Sequence, residues 1–257
     1  MKDHTHYLET SAEVFIEKGV FDRTAMEFYR ALFGYHRKWF DRFGVFISER
    51  PFTMAETPPL LRPGLLEIGD GPRGELINSL EDLVRVIGET GHRVDFSKLV
   101  GHIAANRHEI DDILSAVLSV DRGLYDGYDE KYHTGVEETI FVFINWLKPF
   151  FSALRGRFSG EIDQESWYEN TCPFCGYYPD IAKIEESQGG KRSLHCALCE
   201  NEWVYKRIAC TVCGNTDMET LGFFEEEEPG PYRIEYCDEC GGYIKAVKYG
   251  KFDGSDR

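Results

Sequence analysis

The chain has 257 residues, enough for one or two domains and for a core that needs no outside support. Its 29 Lys and Arg against 45 Asp and Glu leave a formal charge of −16, which argues against unaided binding to bulk nucleic acid or anionic lipid, where basic side chains supply most of the affinity. Charged residues at 29% and hydrophobic ones at 42% describe a folded soluble protein, not a disordered one.

From the N-terminus, the chain opens polar and no apolar h-region follows Met1, so no secretory signal is expected and the expected compartment is the cytoplasm. Residues 8–19 carry Leu8, Ala12, Phe15 and Ile16 at helical spacing. Asp22 is an expected N-cap for a helix over 23–43, with Phe28, Leu32, Tyr35, Trp39 and Phe43 toward one side. Pro51, Pro58, Pro59, Pro63 and Pro72 then predict an extended connection. Helices are expected over 75–89, from a cap at Asp95 or Ser97 to Ala105, over 107–118, and over 137–158 with a bend at Pro149. The most apolar run, 141–151, contains Asn145, Lys148 and Pro149. It falls short of the ~20 apolar residues a membrane span needs. Together these segments predict an all-α bundle of roughly five to seven helices.

The remainder of the chain has a different composition. All eight cysteines follow residue 171, in four CxxC pairs: Cys172/Cys175, Cys196/Cys199, Cys210/Cys213 and Cys237/Cys240. A disulfide framework has no need of such clustering, and a reducing compartment would not maintain it. Metal chelation does need it, because two thiolates in one tight turn point toward one ion and two turns complete a tetrahedron. Twenty residues separate Cys175 from Cys196, ten separate Cys199 from Cys210, and twenty-three separate Cys213 from Cys237. Each long gap can hold a β-hairpin, 180–195 around the turn 187–190 and 218–236 around the turn 225–231. The expected sites are therefore Cys172, Cys175, Cys196 and Cys199, and Cys210, Cys213, Cys237 and Cys240. A cross-braced pairing of first turn with third stays open, since ligand types alone do not fix it. Gly176, Gly214 and Gly241 follow the second cysteine of three turns, and Glu200 stands in that place in the other. There either the turn is looser or another residue takes the strained conformation. Iron and zinc both suit four thiolates.

Other chemistry finds little support. His92, His102, His108 and His133 are scattered, and His108-Glu109 lacks the second histidine of HExxH. No GxGxxG, Walker A or GxSxG run is present. Asp111-Asp112 and Glu137-Glu138 read as solvated faces or helix N-terminal charges, and no catalytic residue is assigned. Trp203 and Tyr243 read as packing around the metal modules, the competing reading being a recognition surface.

The run Cys172-Pro173-Phe174-Cys175-Gly176 resembles the formate dehydrogenase accessory protein family (FdhE). So do Leu194-His195-Cys196-Ala197-Leu198-Cys199-Glu200-Asn201-Glu202-Trp203, Arg207 through Asn215, and Glu235 through Lys245. That resemblance implies an α+β multidomain architecture: a helical domain over 1–165 and two rubredoxin-like or zinc-ribbon modules over 166–206 and 207–257. It implies an assembly factor, not an enzyme, that contacts the molybdenum- or tungsten-containing catalytic subunit of formate dehydrogenase and holds two ions, Fe or Zn, on the eight cysteines. The competing functions are an iron–thiolate redox protein acting on that client, and a nucleic-acid-binding zinc ribbon, which the charge disfavours. Residues 248–257 are expected to fray.

Overall fold

The computed structural model describes residues 22–48, 52–66, 68–90, 94–162, 167–225 and 230–249. The helix expected over 8–19 and the residue His92 lie outside them. The chain divides into two compact units, one of residues 1–53 and 66–157, the other of 54–65 and 158–257.

The first unit is helical: α1 (Arg23–Ser48), α2 (Asp70–Glu89), α3 (Ser97–Ala105), α4 (Glu109–Ser119), α5 (Arg122–Tyr132) and α6 (Val136–Arg157). The Asp22 carboxylate caps α1 by accepting from the Ala25 N–H at 2.7 Å. α1 packs along α6 and α2, and the core between them is aromatic. Phe43 meets Phe150 edge to face at 5.4 Å. The Trp146 indole donates to the Leu76 carbonyl at 2.7 Å and to Ser79 Oγ at 3.0 Å, which satisfies a fully buried N–H. Trp39 Nε1 and Lys38 both donate to Asp82 Oδ2, at 2.8 and 2.7 Å.

Two local expectations need correction. Pro72 is not in a linker but in the first turn of α2, where a missing N–H costs nothing because that N–H has no helical partner. α5 was not anticipated. Its only buried side chains are Tyr125 and Tyr128, set against Phe143 at 5.9 and 5.6 Å, and Asp121 caps it by accepting from the Gly123 N–H. Helix α6 contains Pro149 without interruption. His102 is a satisfied structural group, paired with Glu109 at 2.9 Å, and Glu109 also accepts from the Tyr128 hydroxyl at 3.1 Å. No described helix is long and apolar enough to cross a membrane.

The second unit is built on one six-stranded sheet: β1 (Pro179–Glu185), β2 (Lys191–Cys196), β3 (Glu202–Val204), β4 (Leu221–Glu225), β5 (Tyr232–Cys237) and β6 (Tyr243–Tyr249). The spatial order is β3-β2-β1-β6-β5-β4. Each half repeats one plan: a cysteine turn, a hairpin, a second cysteine turn, and a strand returning against the hairpin. The halves join through β1 and β6, which pair in parallel with Ile181 opposite Lys245. Lys248 and Tyr249 therefore belong to a strand; the expected fraying does not apply to them, and 250–257 lie outside the described residues.

Arg192 of β2 ties the halves together. It is buried, donates to the carbonyls of Lys206 and Ala209 at 3.0 and 2.9 Å, and pairs with Glu235 of β5. The segment 54–65 is an unexpected member of this unit. The N–H groups of Leu60 and Leu61 donate to the carbonyls of Pro173 and Phe174 at 3.1 and 2.7 Å, and Leu61 is fully buried.

His36 gives the helical unit a pH dependence. Burial, then the nearby Lys148 charge, lowers its pKa from 6.5 to about 3, and its Nε2 has no hydrogen-bond partner. The unfolded chain therefore takes up a proton below about 6.5 that the folded unit refuses until about 3, and stability falls as pH drops through that window. Urea unfolding of the helical signal at pH 7 and pH 5 should show His36→Leu losing about 2 kcal/mol less than the unaltered chain between the two pH values. Equal losses would count against this origin.

Candidate metal centres

The eight cysteines come together in two groups, Cys172, Cys175, Cys196 and Cys199, and Cys210, Cys213, Cys237 and Cys240, the sulfurs of each lying within 4.8 Å of one another. Each hairpin folds its two flanking turns onto each other. The adjacent-turn pairing drawn from the spacing is the one observed, and the cross-braced one is not. No described cysteine is in a disulfide.

All four turns have the same backbone. In each, the N–H four residues after the first cysteine donates to that cysteine's carbonyl: Gly176 to Cys172 (2.8 Å), Glu200 to Cys196 (3.2 Å), Gly214 to Cys210 (3.1 Å) and Gly241 to Cys237 (2.9 Å). The first cysteine's own N–H donates to the carbonyl five residues on, at Tyr177, Asn201, Asn215 and Gly242. Closing such a loop puts the residue after the second cysteine at positive φ: +73° at Gly176, +75° at Gly214, +68° at Gly241 and +57° at Glu200. The question left by the sequence has its answer here. The second turn is not looser; Glu200 itself takes the left-handed conformation that glycine takes elsewhere.

The sulfurs are arranged to receive a cation. Cys196 Sγ accepts from the N–H groups of Leu198 and Cys199 at 3.4 and 3.5 Å, Cys210 Sγ from Val212 and Cys213 at 3.3 and 3.5 Å, and Cys240 Sγ from Gly242 at 3.4 Å. Sulfur separations are 3.6 Å (Cys172–Cys199), 3.5 Å (Cys175–Cys196), 3.4 Å (Cys175–Cys199), 3.7 Å (Cys210–Cys240) and 3.9 Å (Cys213–Cys237). A sulfur tetrahedron around an ion at about 2.3 Å has edges of about 3.8 Å. The donor set therefore fits a tetrahedral thiophilic ion.

Electrostatics agree. Burial opposes ionisation of Cys172, yet hydrogen bonds from Cys175, Cys196 and Cys199 carry its pKa well below the ordinary value, while burial, then the Cys172 and Cys196 sulfurs, push Cys175 and Cys199 well above it. In the second group the Asn215 side-chain amide brings Cys237 down to about 7. At Cys213, the Asn215 N–H favours the thiolate but desolvation and the neighbouring sulfurs raise the thiol to about 12. Cys172 and Cys237 ionise readily while Cys175, Cys199, Cys213 and Cys240 resist, which is the condition a divalent cation relieves.

The groups differ in exposure. The first is buried at all four cysteines; in the second, Cys213 and Cys240 are exposed. Trp203, expected as packing, is buried and donates to the Glu169 carbonyl at 3.0 Å. Tyr243 departs from that expectation and is exposed. The loop 54–65 against the first turn was not legible as part of this region, because its signal is only three leucines, Leu60, Leu61 and Leu65, among prolines.

Residues 171–207 match the family described as "FdhE, central domain". The chain is similar to the "Protein FdhE homolog" of Aquifex aeolicus, 31% identical over 109 residues, covering 42% of this chain and 38% of that protein. It is also similar to the "Protein FdhE homolog" of Shewanella oneidensis, 46% identical over 80 residues, covering 31% and 26%. The similarity thus spans about a quarter to two fifths of these relatives' length. The crystal structure of the FdhE protein from Pseudomonas aeruginosa aligns over 87% of this chain and 76% of its own, at 17% identity and a TM-score of 0.44, too distant a likeness to build on.

Two outcomes are expected from this geometry. Gly214 has open space around its Cβ position, so Gly214→Ala meets only the backbone cost of positive φ and should lose about 1 kcal/mol in urea unfolding, whereas Glu200→Gly should hold or gain stability. In a chelator challenge followed by alkylation and mass spectrometry, the half-depleted species should carry label on Cys210, Cys213, Cys237 and Cys240. Label appearing first on Cys172, Cys175, Cys196 and Cys199 would contradict the exposure argument.

Proposed function

We propose, from the match of residues 171–207 to the family described as "FdhE, central domain", that the chain is an accessory factor in the maturation of formate dehydrogenase rather than an enzyme. The observation that carries this reading is the match over residues 171–207 coinciding with a four-thiol group of tetrahedral dimensions. In this reading the client is the catalytic subunit of the molybdenum- or tungsten-containing enzyme, and the chain works in the cytoplasm before that subunit reaches its final place.

We assign one ion, Fe or Zn, to each group, held by Cys172, Cys175, Cys196 and Cys199 and by Cys210, Cys213, Cys237 and Cys240. Bound there, each ion would neutralise thiolate charge and cross-link two turns, a contribution on the order of 10 kcal/mol to folding in small structural sites. The chain's own residues do the rest. The backbone N–H groups at each turn orient the sulfurs, and Arg192 with Tyr205, whose hydroxyl donates to the Cys210 carbonyl at 2.9 Å, fixes the third turn to the first module. The result is a stiff scaffold, as suits a binder.

Deleting the gene in its own host should abolish formate dehydrogenase activity while the catalytic polypeptide is still made, and a plasmid copy should restore it. The plasmid-borne protein should contain two ions per chain, and the Cys172→Ser variant one. Normal activity in the deletion strain would end this reading; a metal-free active protein would end the assignment of the cysteines.

A further inference from the structure

The sheet of the second unit is covered on one face only in its second half. Directly opposed residues share a face. Phe224 stands opposite Ile234 and Ile234 opposite Lys245; Gly222, Tyr236 and Tyr243 make the next rung, and Tyr232 faces Val247. Of the alternate positions, Cys237, Ile244 and Ala246 are buried, while Phe223 is 55% exposed with the Arg233 guanidinium 4.9 Å from its ring. On the first face Phe224 is 64% exposed, Tyr243 65%, Tyr232 51% and Ile234 42%. Tyr236 stacks beneath Phe224 with ring centroids 4.7 Å apart. Gly222 makes this possible, because a Cβ there would fall 2.4 Å from the Tyr236 ring. Single exposed apolar side chains are ordinary, but a contiguous aromatic face of this kind marks an interaction surface.

Two further features narrow the occupant. β4 is a terminal strand, and no described strand pairs with its outer edge. Its sequence, Leu-Gly-Phe-Phe-Glu, has neither Pro nor Lys, and its pairing with β5 has no register shift, so Glu225 at its far end and its shortness are the only blunting devices it carries. At the end where β4 begins, Asp217, Glu219, Asp238 and Glu239 are exposed, and the Asp238 N–H donates to the Thr220 carbonyl at 2.8 Å, bringing the two acidic stretches side by side. None of the four has an ion-pair partner among the described residues.

We propose that the edge of β4 and the adjoining Phe224–Tyr243 face bind an extended segment of a partner protein, one that carries apolar side chains flanked by Lys or Arg. The backbone of that segment pairs with β4 as a seventh strand, its apolar side chains cover Phe224 and Ile234, and its cations meet the acidic end. A second copy of this chain is a poorer occupant, since each copy carries −16. This inference goes beyond the accessory role and stands on the sheet alone, whichever enzyme supplies the partner.

The test uses the full metal-loaded chain and a labelled peptide of about twelve residues, alternating Val or Phe with Thr and ending in Arg pairs, read by fluorescence anisotropy. Binding should weaken about tenfold or more in Phe224→Ser/Ile234→Ser, checked for unchanged metal content and circular dichroism, and as NaCl rises from about 50 to about 500 mM. Because that variant could disturb β4, a peptide N-methylated at alternate amides provides the independent arm and should also bind about tenfold more weakly. Absence of binding, equal binding by a peptide with Glu in place of Arg, or equal binding by the N-methylated peptide would overturn the proposal. So would a concentration-dependent doubling of mass that Phe224→Ser abolishes, which would give the face to a second copy.

Discussion

Four sulfurs held within 4.8 Å of one another cannot all be charged without a cation, and as neutral thiols they are only weak acceptors for the backbone N–H groups aimed at them. That constraint, met twice, organises the second unit. It demands turns that place two sulfurs side by side, hairpins long enough to fold one turn onto another, and a positive-φ residue to close each turn. The sheet follows from meeting those demands: β1 and β2 carry their turns together and β3 returns against β2, as β4 and β5 do with β6 returning against β5. The apolar core is thin, so Arg192 stands where a larger protein would place a hydrophobic layer. Its carbonyl bonds and its pairing with Glu235 compensate the burial of its charge.

Much of this was legible in the sequence because cysteine spacing is a geometric instruction. Cys172-x-x-Cys175 repeated 24 residues later, and Cys210-x-x-Cys213 repeated 27 residues later, leave room for one hairpin each. The helical half was legible where an apolar stripe and a cap coincide, as at Asp22 and Phe28 through Phe43. It was not legible where burial rests on two tyrosines, as in α5, since Tyr125 and Tyr128 among charged residues and glycines give no stripe. Nor could the sequence reveal that 54–65 lies along the first cysteine turn, because that docking uses backbone N–H groups, which every residue but proline possesses. Glu200 illustrates the same limit. Residue preference argued against a left-handed turn there, and the two hydrogen bonds closing the loop overrode it.

The two sulfur groups share a plan but differ in surroundings. The first is sealed by Phe174, Leu198, Trp203 and Leu61, all buried. The second is open at Cys213 and Cys240, flanked by exposed Val212 and the exposed aromatic face of β4 to β6. A fold repeated in one chain is thus divided between a part that fixes shape and a part that meets the surroundings.

The parallel pairing of β1 with β6 sets an order of events. Ile181 pairs with Lys245, 64 positions further along the chain, whereas every other pairing in the sheet is between strands adjacent in sequence. Within the sheet, loop closure over that distance is the slowest step. During synthesis the first module can complete its hairpin and gather its four thiols while the second is still being made, but β1 keeps an open edge until the last described strand arrives. The second unit becomes one sheet only when β6 has been made, and an interruption before Tyr243 leaves the first module formed and the second without the strand that joins them.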